Sequence, residues 1–345
     1  MFFALTDDQR DFGSAVRELL TDKFGPAVLR PTLEDADGTG YPAGLWRAMG
    51  EQGWLAVLVP EEFDGLGLGL VDTQVIARAL GAGVAPGPWR GTVLAAEAVR
   101  LAGSSSQRQR WLPALAAGEA VGAIALRGSA DGGWPSVEYA AEADVLVVVD
   151  GDGLRLLRPE ELHVERQQSY DSTVRLDRVT LGDGAGEPLP GGTAEVLAEL
   201  GARASVLVAA DLVGIAREAL TRTVDYDRER SQFGVPVGSF QAIKHTMADL
   251  HVGVTMAEHA VLFGAHALDT APATDPDTAL AVAVAKAKAG DTALQATAAM
   301  IQYHGGIGYT WEHDTHLFYK QAKRLAGSAG AAAEQRARIA ELTIG

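Results

Sequence analysis

Cysteine is absent from the 345-residue chain. No disulfide, thiolate metal site or cysteine nucleophile can form, and an intracellular, cytoplasmic setting is the simplest reading. Long apolar runs are also missing. No stretch reaches the roughly 18 uninterrupted apolar residues of a spanning helix, and the longest weakly polar stretch, Ala204 to Ala216, is broken by Asp211. The first ten residues turn acidic by Asp7 and contain no basic leader before an apolar run, so they do not read as a secretory signal. Basic residues are in deficit: 29 Lys and Arg stand against 45 Asp and Glu, a net charge of −16. That balance argues against general nucleic-acid binding, which needs a basic surface. It leaves room for an anionic small ligand, which needs only a local basic or amide-rich pocket. Aromatic residues are few at 6%, while Ala and Gly abound and 47% of the chain is hydrophobic. Small side chains let helix axes approach closely, and the apolar content is enough for a large core.

Three compositional blocks predict an α+β chain: helices over residues 1–117, a small β domain over 118–190, and helices over 191–345. In the first block Thr6 and Gln9 have the spacing of a capping box. Phe12, Val16, Leu19 and Leu20 then recur at helical spacing. Trp46 and Met49 lead to Trp54 and the run Leu55 to Val59, which Pro60 stops; Gly65, Gly67 and Gly69 form a loop, and Trp111-Leu112-Pro113 closes a helix. Trp54 and Trp111 are expected in the core. In the second block the run Ala143 to Val149 reads as a buried strand. Shorter strands are expected at Leu154 to Leu157, Leu162 to Val164 and Val174 to Leu176, before a Gly/Pro-rich boundary from Gly182 to Gly192. The third block predicts one or two long helices from Thr193 to Arg230, another from Phe240 to Leu268 and an Ala-rich one from Thr278 to Gln302. Helices of this length point to a bundle.

Two segments carry the chemistry. The first runs from Tyr226 through Arg230-Ser231-Gln232-Phe233-Gly234 to His245. It reads as a helical hairpin, and Arg230 could pair with a phosphate through its planar fork; a solvated basic helix end is the plainer alternative. The second is Gln302-Tyr303-His304-Gly305-Gly306-Ile307-Gly308. Its glycines let backbone pass close to a ligand, although a simple turn would need them too.

Taken together, the two segments resemble the acyl-CoA dehydrogenase family, and the likeness covers nearly the whole chain. Arg230 to Gly234 matches the family's R-x-x-F-G turn and Gln302 to Gly308 its Q-x-x-G-G-x-G loop, while Pro60 to Gly67 looks like its PEE-GGLG loop. The resemblance implies an N-terminal helical domain, a small central β domain and a C-terminal four-helix bundle. It also implies FAD as cofactor and an acyl-CoA thioester as substrate. Carried over by position, Arg230 would lie near the FAD pyrophosphate with Gln232 and Phe233 beside it. Gln302, Gly305 and Gly306 would line the adenine end, and the flavin ring would lie in a neighbouring subunit.

The departures are as informative. The family usually places its base glutamate in a turn beyond the Gly-rich loop; counted without gaps from Gln302, that position holds Ala329. Some members place the base near the start of the long helix instead, and there the count falls on Ala204. Neither alanine can take a proton, so no catalytic base is expected in this chain. The β domain is short and keeps little of the family's flavin-ring motifs, reading Ala125-Leu126-Arg127-Gly128-Ser129-Ala130-Asp131 where the first would stand. This correlated loss resembles the non-catalytic chain of heteromeric actinobacterial sterol side-chain enzymes. It implies a related partner chain, in an α2β2 heterotetramer, that supplies ring pocket and base. A flavin-free acyl-CoA-binding scaffold and a self-sufficient homo-oligomer remain as alternatives.

Other tempting residues have plainer readings. Glu312 is a candidate relocated base but also suits a structural turn. His313 and His316 could bind a metal, yet no second ligand cluster has matching spacing, so no metal is expected. Asp211 should have a hydrogen-bonded or interface partner. His245, His251, His259 and His266 should be solvated or at an interface.

Overall fold

The computed structural model describes residues 4–35, 37–182 and 186–345. Residues 1–3 of the expected N-terminal start and 183–185 of the Gly/Pro-rich boundary lie outside them. Six helices come first: α1 (Asp7–Lys23), α2 (Pro26–Glu34), α3 (Ala43–Glu51), α4 (Leu70–Ala82), α5 (Trp89–Ala102) and α6 (Ser105–Ala117). The Thr6–Gln9 capping box opens α1, with each side chain accepting from the other residue's backbone N–H. Ser104 and Gln107 repeat the device at α6. Helix α6 does not close at Pro113. Burial of Leu115 and Ala116 holds one more turn, which ends at Gly118 in the left-handed conformation (φ 73°). Trp54 and Trp111 are buried.

The run Leu55 to Val59 is buried but not helical. Its carbonyls are satisfied by the glycine-rich loop that follows: Leu66, Gly67 and Leu68 donate to Ala56, Val59 and Val57. Gly65 is required there, because a Cβ would fall 1.9 Å from the Val59 carbonyl oxygen.

Seven strands follow: β1 (Gly122–Ala125), β2 (Trp134–Glu138), β3 (Val145–Asp150), β4 (Gly153–Leu157), β5 (Leu162–Gln167), β6 (Leu176–Leu181) and β7 (Glu187–Leu189). They form a four-stranded sheet, β1-β3-β4-β7, and a three-stranded sheet, β2-β6-β5; only the β1–β3 pair is parallel. The larger sheet has two apolar faces. Val145, Val147, Leu154 and Leu156 pack towards α5 and α6, while Leu146, Val148 and Leu157 join Trp134 and Val179 of the smaller sheet. The expected boundary from Gly182 to Gly192 therefore contains a strand, β7, which completes the larger sheet.

The last block holds α7 (Ala194–Glu229), a hairpin of β8 (Ser231–Gln232) and β9 (Val235–Pro236), then α8 (Gln241–Thr270), α9 (Pro276–His304), α10 (Thr315–Gly327) and α11 (Ala332–Ile344). The first long stretch is a single helix of 36 residues, buried without interruption from Ala204 to Ala216. It packs on α8 and α9 within the bundle, on α10, and on α4 and α5 of the first block. Glycines make the α4–α7 crossing close. A Cβ on Gly81 would sit 2.1 Å from the Asp211 carbonyl oxygen, and one on Gly214 would sit 2.0 Å from that of Arg78. Among the described residues no helix is long and apolar enough to cross a membrane.

Backbone atoms cannot yield as flexible side chains do. Gly214→Ala should therefore lower stability by about 1–3 kcal/mol, read as a fall in the denaturant midpoint at unchanged slope.

Candidate functional site

At the far end of α7 the chain reverses through a tight hairpin. Gln232 pairs with Val235 across the two-residue turn Phe233–Gly234, and both turn residues are left-handed, with φ 54° and 81°. This is the twist-matched turn that favours glycine at its second position. It projects Phe233 almost fully into the open, 93% exposed, with Phe240 edge-on at 6.3 Å. Backbone hydrogen bonds fix Arg230: its N–H donates to the Tyr226 carbonyl at 2.9 Å, and its carbonyl accepts from Val237 at 2.8 Å. Its guanidinium is exposed and has no partner among the described residues. Gln232 is equally exposed, and its side chain donates only to the neighbouring Ser231 carbonyl.

The second segment lies beside the first. Helix α9 stops at Gly305 (φ 64°, ψ −141°), a backbone conformation that is essentially glycine's own. A Cβ on Gly305 or Gly306 would meet no atom within 4 Å, so no packing among the described residues explains either glycine. Gly308 differs, since its Cβ would press the Ile301 carbonyl oxygen at 2.8 Å. Gln302 is exposed. The two segments are joined by Tyr226, one turn before Arg230, which stacks on His304 at 4.5 Å between ring centroids. Burial lowers the pKa of His304, favouring the neutral ring in that stack. Asp227 is buried next to Tyr226 with neither carboxylate oxygen hydrogen-bonded among the described residues, and burial raises its pKa to about 6.

Arg30 was not legible as part of this site. From α2 it donates to the carbonyls of Trp311 (2.9 Å) and Glu312 (2.7 Å) and pairs with Asp314 (2.7 Å), pinning the turn that follows the glycine loop. Only the fold brings it there from 281 residues away. Glu312 is exposed on this turn. His313 packs near His304 at 4.8 Å, whereas His316 stacks on Trp311 at 4.4 Å. No group of three or more metal-ligating side chains is found among the described residues.

A separate cavity of about 410 Å³ lies between the strands and the bundle. Ala204 and Ala329 both line it, with Leu94, Ile124, Val137 and Val208 among its apolar walls. The turn that carries Ala329, at φ 49°, is clamped from both sides. The Ser205 hydroxyl donates to the Ala329 carbonyl at 2.9 Å, and buried Lys286 donates to those of Gly330 (2.9 Å) and Ala326 (3.2 Å). Burial lowers the Lys286 pKa to about 8. Among the described residues Glu138 is the one carboxylate that lines the cavity. Burial would raise its pKa, but Arg90 and Arg324 outweigh that and hold it below the usual carboxylate range.

These groups belong to a larger cluster. Arg90 (α5) pairs with Glu138 (β2) and Asp211 (α7), while Arg324 (α10) pairs with Glu138 and with Asp171, just before β6. Three carboxylates face two guanidiniums, so one acid is left under-compensated. Burial and repulsion from Glu138, opposed by Arg90, raise the Asp211 pKa to about 6. The hydrogen-bonded role expected for Asp211 is what it has here. Along α7, at about 1.5 Å per residue, Ala204 and Arg230 are about 40 Å apart.

Residues 6–119 match the acyl-CoA dehydrogenase N-terminal domain, and residues 195–343 match the acyl-CoA dehydrogenase C-terminal domain. The chain belongs to the acyl-CoA dehydrogenase family. Its members are FAD-binding oxidoreductases that act on CH–CH bonds. The acyl-CoA dehydrogenase IpdE2 of Mycobacterium tuberculosis is 35% identical over 92% of this chain and 91% of its own length. Among solved structures, the Tcur3481-Tcur3483 steroid ACAD is 28% identical at a TM-score of 0.85, covering 98% of each chain. The ChsE4-ChsE5 complex from Mycobacterium tuberculosis shares the fold at a TM-score of 0.87 and 24% identity, covering 99% of this chain and 98% of that one. The two matched spans flank the strands, where the family's ring motifs would stand.

An acid whose folded pKa exceeds its unfolded one stabilises the fold below the unfolded value, and that contribution is lost as pH rises through the folded one. For Asp211 this window runs from 3.8 to about 6. Asp211→Asn should therefore gain stability relative to the parent at pH 7.5, on the order of 1–3 kcal/mol. Thermal unfolding of both proteins should show the gap shrinking towards pH 5.

Proposed function

We propose that this chain is one half of a heteromeric, cytoplasmic FAD-dependent acyl-CoA dehydrogenase, in which it closes the nucleotide end of an FAD whose ring lies in a related partner chain. The observation that carries this reading is the distance of about 40 Å along α7 between the cavity and Arg230. That is farther than one dinucleotide reaches, so Arg230 and its neighbours serve a cofactor seated in another chain.

The residues at the α7–α9 end fit the ADP half of FAD. Arg230 is an unpaired guanidinium able to hold the pyrophosphate through its fork. Gly305 and Gly306 face open space and let backbone N–H groups approach the nucleotide. Phe233 offers an apolar cover, and Gln232 and Gln302 offer amides to its polar edge. Arg30 positions the turn beyond them.

The cavity supports the same division. Desaturation requires a carboxylate to take the α-proton while the β-hydride leaves from the other side, and bound FAD supplies the hydride acceptor. Ala204 and Ala329, on which the family's two base positions fall by count along the sequence, line the cavity, and its Glu138 is committed to two arginines. The base must come from the partner. A steroid-derived acyl group is the substrate class favoured by the likeness to the steroid ACAD, and α2β2 is the assembly that pairs each FAD with one chain of each kind.

Flavin absorbance and native mass test this directly. The chain alone should be colourless, and co-expression with its related partner should yield a yellow heterotetramer with half as many flavins as chains. Stoichiometric FAD on a homo-oligomer of this chain would overturn the reading, and a flavin-free complex would favour the scaffold. In the yellow complex, Arg230→Ala should weaken FAD retention about ten- to a hundredfold, the value of a charge-assisted hydrogen bond, as measured by flavin release on dilution.

A further inference from the structure

A second cationic feature borders the turn that Arg30 pins, since Asp314 lines one edge of it in its ion pair with Arg30. Between α1, α4 and α7, two adjoining clefts of about 300 and 320 Å³ open side by side, and Arg17, Ala79, Ala82 and Glu218 line both. Neither cleft shares a lining residue with the cavity of Ala204 and Ala329. Leu20, Phe24, Ala79, Phe318 and Val75 make the floor apolar, and five arginines rim it: Arg10, Arg17, Arg78, Arg217 and Arg222.

The rim carries more positive charge than it neutralises, in a chain of net charge −16. Arg222 pairs with Glu218, and Arg10 with exposed Asp7. Arg78 and Arg217 share the single carboxylate of Glu258. Arg17 has no acidic partner among the described residues, and its guanidinium is met only by the Ser14 hydroxyl at 3.0 Å. Burial lowers the Arg78 pKa, and Arg217 and Arg17 add to that fall against the pull of Glu258, as expected of crowded like charges. Clustered guanidiniums are costly to hold together unless an anion joins them, and this protein gathers them over an apolar floor. The volumes reach the range of small-molecule sites, where an apolar lining carries a few convergent polar groups.

We propose that this groove is a binding site for an amphiphile with an oxyanion head, a carboxylate or a phosphate monoester, whose apolar tail lies along α4 and whose head is held by Arg17 with Arg78 and Arg217. The site is independent of the flavin reading, because none of the FAD-facing residues lines it.

Isothermal titration calorimetry on the full chain as purified tests it with four probes: octyl phosphate, octanoate, 1-octanol and inorganic phosphate. One of the two anionic amphiphiles should bind saturably with unit stoichiometry, and the stronger of them identifies the head group. Uncharged octanol and tail-less phosphate should each bind at least about tenfold more weakly. Arg17→Glu, at an exposed position with no ion pair to lose, should weaken the favoured probe about ten- to a hundredfold with an unchanged melting temperature. Ala82→Leu should also weaken it, by filling the floor of both clefts. The absence of saturable binding would overturn the proposal, as would unchanged affinity in Arg17→Glu. So would a loss of affinity in Arg127→Glu alone, because that result would place the amphiphile in the cavity of Ala204 and Ala329.

Discussion

Helix α7 is the constraint on which the other elements depend. Thirty-six residues without a break, buried through their middle, set a fixed spacing between everything attached to them. The cavity with Ala204 lies near one end, the α4 crossing and Asp211 are in the middle, and the Tyr226–Arg230 end carries the hairpin. An α-helix is stiff at this length, so these places cannot be brought together by local rearrangement. The separation of Arg230 and its hairpin from the cavity of Ala204 is thus a property of the backbone, independent of side-chain detail.

The charge cluster acts across this axis. Arg90, Glu138, Asp171, Asp211 and Arg324 come from the first helical block, the strands and the bundle. Buried ion pairs of this kind contribute less to stability than to specificity, because desolvation offsets much of their attraction. Here they register three layers against one another, and Arg90, Glu138 and Arg324 line the cavity while Asp211 is left under-compensated. An acid held between two guanidiniums is a poor proton acceptor, so the same contacts that organise the fold keep Glu138 ionised.

Much of the architecture was legible because it rests on local signals. The Thr6–Gln9 capping box, the long apolar periodicities of α7 to α9 and the run Ala143 to Val149 are short-range patterns, and the elements formed there, the strand starting two residues later at Val145. What the reading missed depends on distant partners. Strand β1 is only Gly-Ala-Ile-Ala, with weak β preference, and becomes a strand because β3 lies alongside it. Strand β7 hides in a Gly/Pro-rich stretch and is made by β4. The run Leu55 to Val59 has the composition of a regular element, but its hydrogen bonds are taken by the loop at Leu66 to Leu68. Pro113 did not end its helix, because packing of the last turn outweighed the lost backbone bond.

By itself the sequence determined the block order and the Arg230-to-Gly234 and Gln302-to-Gly308 motifs, since residue identity and spacing along one chain suffice for each. Tertiary structure alone decided that Ala204 and Ala329, far apart in the chain, line one cavity, and that Tyr226 and His304 join the two motifs. It also decided that Arg30 anchors the turn beside them and that three carboxylates converge on Arg90 and Arg324. The physical reason is the same in each case: these are contacts between side chains whose proximity is set by helix length, crossing distance and sheet pairing, and no spacing along the chain encodes them.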